Sequence, residues 1–235
     1  MKKNQLFYFL LASLTLYFSY VSVNACSNIY GRIVNQGPKN EKVIALTFDD
    51  GPHPKFTNEI LDILKEYDIK ATFFVLGKFA ETYPEIIIRQ WEEGHEIGNH
   101  TYSHVDAKSV SKKILYEEYK KTQEIIENLV NNRPKLFRPP YGSFDSQALD
   151  IMEMDNSIMI LWSSHQDSKD WSNPKVDEIV NTTLSNIKNG DIILFHDYVY
   201  YNKSNTVEAL KIIIPELIDR GYKFVTISEL LNLID

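Results

Sequence analysis

The feature that most constrains this chain is a regular alternation between short apolar runs and longer stretches of helical periodicity. The runs KVIALTF, ATFFVLG, HEIGNH, KLFRPPYG, SIMILWS, DIILFHD and KFVTIS are spread over residues 42–228. Between them lie amphipathic stretches at Thr57–Tyr67, Phe79–Glu93, Ser109–Val130, Ser146–Met154, Val176–Lys188 and Thr206–Arg220, and a helical ELLNLI closes the pattern. Strand-type runs that alternate with helical patterns predict an α/β fold of parallel strands, either a sheet or a barrel. A fixed repeat period is absent, which excludes a solenoid. Gly190 and Gly221, in KNG and DRG, are expected to end two helices in left-handed turns.

In such folds the C-terminal ends of the strands share one face, so residues just past each run converge however distant they are in sequence. Here those residues are Asp49, Asp50, His100, Arg138 and His196. TFDDGPHP sets two carboxylates side by side, where their charges repel; alone it would read as an aspartate-rich turn. His100 and His104 in GNHTYSH have the spacing that, on a helix, brings both imidazoles to one metal ion; alone they would be two surface histidines. Asp50 completes a set of two histidines and one carboxylate, which suits catalytic zinc and leaves a coordination position for water. Asp49 would then act as base. Arg138 would orient it through a bidentate contact, on a backbone stiffened by Pro139 and Pro140. His196 ends a very apolar run and can donate a proton to a leaving group. Either Asp167 or Asp170, beside Trp171 in DSKDW, would keep that histidine protonated.

In this order, TFDDGP, HTYSH, RPPYG, DSKDW and LFH resemble the five motifs of the polysaccharide deacetylases, the NodB-homology group known as carbohydrate esterase family four. The resemblance runs from residue 42 to about residue 230. It implies a distorted, TIM-like (β/α) barrel with about seven parallel strands. It also implies a divalent metal on Asp50, His100 and His104, zinc first, with cobalt or another transition metal as alternatives. Asp49 would be the base with Arg138 as its partner, and His196 the acid tuned by Asp170. The backbone N–H of Tyr141 would help hold an oxyanion, while Trp171 and Leu194 would shape an apolar pocket for an acetyl methyl. The segment WSSHQDSKDW is longer between Trp162 and Asp170 than the family pattern, which leaves open whether Asp167 or Asp170 faces His196, with His165 close by. His53 and Asn99 adjoin the motifs and are further candidates to line the site.

The implied activity is metal-dependent hydrolysis of N-acetyl groups on N-acetylglucosamine units of a cell-envelope or chitin-type glycan. Three other readings compete: a catalytically silent glycan-binding scaffold, an amidase for non-sugar amides, and an O-acetyl xylan esterase. A silent scaffold would show loss of a metal ligand or of the base, and both are present. Tyr102, Tyr141, Trp171, Tyr198, Tyr200 and Tyr201 are candidates to stack on sugar rings.

With 235 residues, 43% of them hydrophobic and 24% charged, the chain can build one sizeable domain. Its formal net charge of -7 argues against nucleic acid as a partner. The expected organisation is a signal peptide over residues 1–25, a tether over 26–41 and a catalytic domain over 42–235. VNAC resembles a lipoprotein cleavage box apart from Asn24, and Cys26, the lone cysteine, would carry the lipid. Ordinary secretory cleavage and an uncleaved anchor are the other outcomes. The chain is thus expected to be exported, to the cell envelope or beyond, and to act on its acetylated glycan as a monomer.

Overall fold

The computed structural model describes residues 33–232. The expected leader and Cys26 lie outside the described residues. Among those described, no helix is long and apolar enough to cross a membrane.

In chain order the strands are β1 (Ile33–Val34), β2 (Val43–Asp49), β3 (Thr72–Val75), β4 (Glu96–Asn99), β5 (Leu136–Phe137), β6 (Ile158–Ile160), β7 (Ile192–His196) and β8 (Lys223–Phe224). The helices are α1 (Phe56–Glu66), α2 (Gly77–Thr82), α3 (Pro84–Glu92), α4 (Lys112–Val130), α5 (Ser146–Met154), α6 (Val176–Ser185), α7 (Asn205–Asp219) and α8 (Ile227–Leu231). Seven strands follow one curled path, β1-β6-β5-β4-β3-β2-β7, and every pairing is parallel. β8 pairs with the first residues of β2. This is the distorted (β/α) barrel that the motifs implied.

β2 is buried along its whole length, and its period of two sorts its side chains onto two faces. Ile44, Leu46 and Phe48 join the large core packed under the helices, with Leu61 of α1 and Leu210 of α7. Val43 and Ala45 join a second core with Phe74, Leu136, Ile160 and Ile192. The alternation carries on to place Thr47 and Asp49 on this second face. The barrel interior is therefore apolar at one end and polar at the other. The wall between β6 and β7 is completed by the segment after β6, where Ser163 N–H donates to Ile192 O at 3.0 Å and Leu194 N–H to Gln166 O at 3.1 Å.

Three local expectations change. The stretch over Phe79–Glu93 is two helices, because Pro84 supplies no N–H and pushes Tyr83 out of helical geometry, to φ -127° and ψ 57°. Part of the expected tether belongs to the fold, since Ile33 and Val34 pair with Met159 and Ile160 and Val34 is buried. Gly221 does follow α7 at φ 79°, but α6 ends at Ser185, so Gly190 serves instead as the turn into β7. There Gly190 has φ 76°, and a Cβ would lie 2.6 Å from the backbone carbonyls of Gly37 and Pro38. Gly190→Ala should therefore cost about 2–3 kcal/mol. That corresponds to a Tm lower by roughly 5–10 °C in calorimetry, and an unchanged Tm would show that the turn relaxes freely.

Candidate active site

The parallel register of β2 and β7 sets Asp49 opposite His196, and Asp50 follows immediately. Arg138, one residue past β5, is fully buried. Its Nη1 donates to Asp49 Oδ1 at 2.7 Å and to Thr47 Oγ1 at 2.8 Å. Nε and Nη2 reach the carbonyls of Ile160 and Leu161 at 3.3 and 3.4 Å. The contact with Asp49 is thus single, where a bidentate one was expected. The rest of the guanidinium is occupied by β2 and the end of β6, so Arg138 fixes one carboxylate oxygen and leaves Oδ2 toward the cavity side, 3.9 Å from His100 Nε2.

His100 and His104 do meet, but no helix brings them together. Residues 100–106 carry no helix, and Thr101 and His104 adopt φ of 67° and 70°. Asn99 holds the bend: its Oδ1 accepts from Thr101 N–H at 2.8 Å, while its Nδ2 donates to Tyr119 O and to Gln123 Oε1. Glu118 accepts from the N–H groups of Tyr102 and Ser103. Asp50 itself sits at φ 74°. Its Oδ1 lies 3.4 Å from His100 Nε2 and 3.1 Å from His104 Nε2. All three candidate ligand atoms fall within 4.8 Å of one another.

This cluster fits a cation. His100 Nδ1 is 2.6 Å from the carbonyl of Arg138; a carbonyl can only accept, so Nδ1 carries the proton and Nε2 presents its lone pair to Asp50. Asp50 Oδ1 is buried without an aligned hydrogen-bond donor, which is costly unless something positive joins it. Burial opposes the Asp50 charge, yet when the imidazoles also carry a proton on Nε2 their hydrogen bonds and the His100 charge outweigh it and hold its pKa well below the usual carboxylate range; a cation would take the place of those protons.

On the opposite side, Asp170 settles which carboxylate serves His196. Its Oδ1 pairs with His196 Nδ1 at 2.8 Å, and its Oδ2 accepts from His196 N–H and from Thr206 Oγ1, each at 2.8 Å. Burial alone would lower the His196 pKa, but the Asp170 charge and hydrogen bond outweigh it, with smaller contributions from Asp50 and Asp49, and push it up to about 9. His165 is elsewhere, paired with Asp191.

A cavity of about 410 Å³ joins these groups; Asp49, Asp50, His100, His104 and His196 line it, with Tyr141, Trp171 and Leu194. Tyr141 has φ 62° and its ring stands edge-on to His104 at 4.6 Å. Trp162, Asp167, Tyr198, Val199 and Tyr200 complete the lining. His53 and Asn99 do not line it. His53 Nδ1 accepts from the N–H groups of Lys55 and Phe56 and so caps the start of α1, and Asn99 supports the histidine loop from behind. Sequence reasoning missed Thr47 and Thr206. Thr47 was discoverable, because it lies two residues before Asp49 and shares its face; Thr206 arrives from α7 and left no local signal.

A parallel barrel with this candidate ligand set beside an arginine-held aspartate and an acid-paired histidine has the groups that a hydrolytic enzyme site needs. Residues 36–156 match the polysaccharide deacetylase family, and the chain belongs to it. It is 43% identical over 202 residues to a peptidoglycan-N-acetylglucosamine deacetylase of Bacillus cereus, an alignment that covers 86% of this chain and 94% of the relative. Among solved structures it resembles the Bc1960 peptidoglycan N-acetylglucosamine deacetylase with a TM-score of 0.81 and 40% identity, over 86% of this chain and 92% of that one. A family 4 acetyl xylan esterase from Clostridium thermocellum, in complex with cobalt, is 34% identical with a TM-score of 0.73, over 81% of this chain and 91% of that one. The protein is thus a glycan deacetylase, a hydrolase of a family that uses a divalent metal.

Because the His196 pKa is raised in the fold, its pairing stabilises the protein fully below about pH 6.5 and is lost as pH rises through about 9. In metal-free Asp170→Asn, burial acts with little opposition, so the His196 imidazole should titrate below 6.5 by NMR and the stability loss between pH 6.5 and 9 should flatten. A His196 titration unmoved by the substitution would show that Asp170 is not its partner.

Proposed function

We propose that this protein removes N-acetyl groups from N-acetylglucosamine units of peptidoglycan, with zinc on Asp50, His100 and His104. The observation that carries this reading is the facing of two differently supported groups across one cavity. Asp49 is oriented by Arg138, and His196 is held by Asp170. The bound ion would polarise the acetamide carbonyl and make water acidic enough to be deprotonated near neutral pH.

Asp49 takes the proton of the attacking water through the oxygen that Arg138 leaves unengaged. Negative charge then develops on the acetamide oxygen. The Tyr141 N–H has no backbone acceptor among the described residues and donates to that oxygen. One such donor is typically worth about 3–4 kcal/mol in the transition state. His196, already carrying its proton at neutral pH, gives it from Nε2 to the departing amine, since Nδ1 is bound to Asp170. Leu194 and Trp171 exclude water around the acetyl methyl. Acetate and a free amino sugar leave.

Peptidoglycan is favoured by the Bacillus cereus relative and by the export signal read in residues 1–25; an outward-facing chain meets that polymer first. Attachment through a lipidated Cys26 and action as a monomer belong to the same proposal. The test is acetate release from peptidoglycan and from N-acetylglucosamine oligomers by purified protein, stripped of metal and then reloaded with zinc or cobalt. Release should need metal and should be greater from peptidoglycan; no release from either substrate by the loaded protein would overturn the reading. Asp49→Asn should retain metal and lose at least about a hundredfold in kcat. His104→Ala should bind metal at least about tenfold more weakly by chelator competition, and full metal affinity in that variant would remove His104 from the ligand set.

A further inference from the structure

The proposed reaction engages one carboxylate of DSKDW and leaves the other over. Asp170 is wholly buried behind His196, whereas Asp167 is half-buried and lines the cavity. Asp49 has Arg138 as its partner, and Asp50 has the two histidines. Asp167 has no cationic partner among the described residues. Its Oδ1 accepts from Lys169 N–H at 3.0 Å, and its Oδ2 has no protein donor among them.

Its position is fixed in advance. The main chain bridges β7 at Asp167 and Leu194, and Leu194 N–H donates to Gln166 O. The preceding side chain, Gln166, is buried and donates to Asp191 Oδ2 at 3.1 Å. A carboxylate held this way in a cavity is poorly hydrated once a ligand enters, which costs free energy unless the ligand brings donors of its own. Sugar hydroxyls are such donors. Trp171, four residues on, lines the same cavity and is 54% exposed, so an aromatic face is available for the apolar side of a pyranose ring.

We infer that Asp167 is a specificity-determining residue of the substrate site, whose Oδ2 accepts a ring hydroxyl of the bound sugar. The inference rests on the deacetylase reading above. It explains why the segment that bears Asp167 is clamped to β7: a preformed acceptor loses little freedom when the sugar arrives.

The experiment compares the full protein with Asp167→Ala and Asp167→Asn, each checked for an unchanged Tm, on the N-acetylglucosamine tetramer and on 4-nitrophenyl acetate, which has no ring hydroxyls. Asp167→Ala should raise KM for the tetramer about tenfold, as expected for a lost charge-assisted hydrogen bond. The ratio of kcat/KM on the tetramer to that on the ester should fall by a similar factor. Asp167→Asn, whose amide oxygen still accepts, should recover most of the loss. An unchanged tetramer KM in Asp167→Ala, or equal losses on both substrates, would overturn the inference. If Asn performs no better than Ala, the carboxylate acts by charge and hydroxyl recognition is overturned. A wild type that cleaves the ester but not the tetramer would overturn the deacetylase reading together with it.

Discussion

The arrangement of this protein depends on a charge that has been taken wholly out of water. Arg138 is completely buried, stacked 4.1 Å from the Phe74 ring centre and within 5.9 Å of that of Trp162. Burial works against its charge, and Asp49 is the partner that opposes this. A pair of this kind contributes little net stability, while removal of one member typically costs about 3–5 kcal/mol because the other is left uncompensated. What the pair supplies is geometry. One guanidinium ties β2 to the ends of β5 and β6, and its backbone carbonyl also sets the tautomer of His100.

Around that tie the backbone is held in a conformation that non-glycine residues rarely adopt. Asp50, Thr101, His104 and Tyr141 all have φ between 62° and 74°, and all four lie at the candidate site. Each costs of order 1 kcal/mol or more, and the cost persists only where the surroundings fix the alternative. Here the surroundings are visible: Asn99 and Glu118 brace the histidine loop, and Asp197 packs its carboxylate against Gly51, where any side chain would collide. The strain aims three candidate ligand atoms at one point, and the polar supports behind them keep it there.

Much of the fold was legible because burial writes a period into the sequence. The seven apolar runs became strands, and the residues that follow them do converge, since parallel strands end on one face. Asp49, Asp50, His100, His104, Arg138 and His196 meet within a single cavity or directly behind it. The errors were of another kind. A helix was expected to pair His100 with His104, yet a left-handed loop does so; His53 looked like a wall residue, yet it caps α1. Local spacing is silent on such matters, because a bend braced from α4 and a cap satisfied by a side chain depend on neighbours distant in sequence.

The sequence by itself determined the class of fold and the identity of the chemical groups, because alternation of apolar residues and the side chains themselves are local properties. The tertiary structure alone decided which partner each group has. Asp167 and Asp170 stand three residues apart in one motif, and nothing in their local setting separates them. A 3-10 turn at Asp170–Ser172, the register of β7 and Thr206 from α7 bury Asp170 against His196 and leave Asp167 on the cavity wall. Pairing is a matter of distance and shared burial, and those exist only once the strands have been brought side by side.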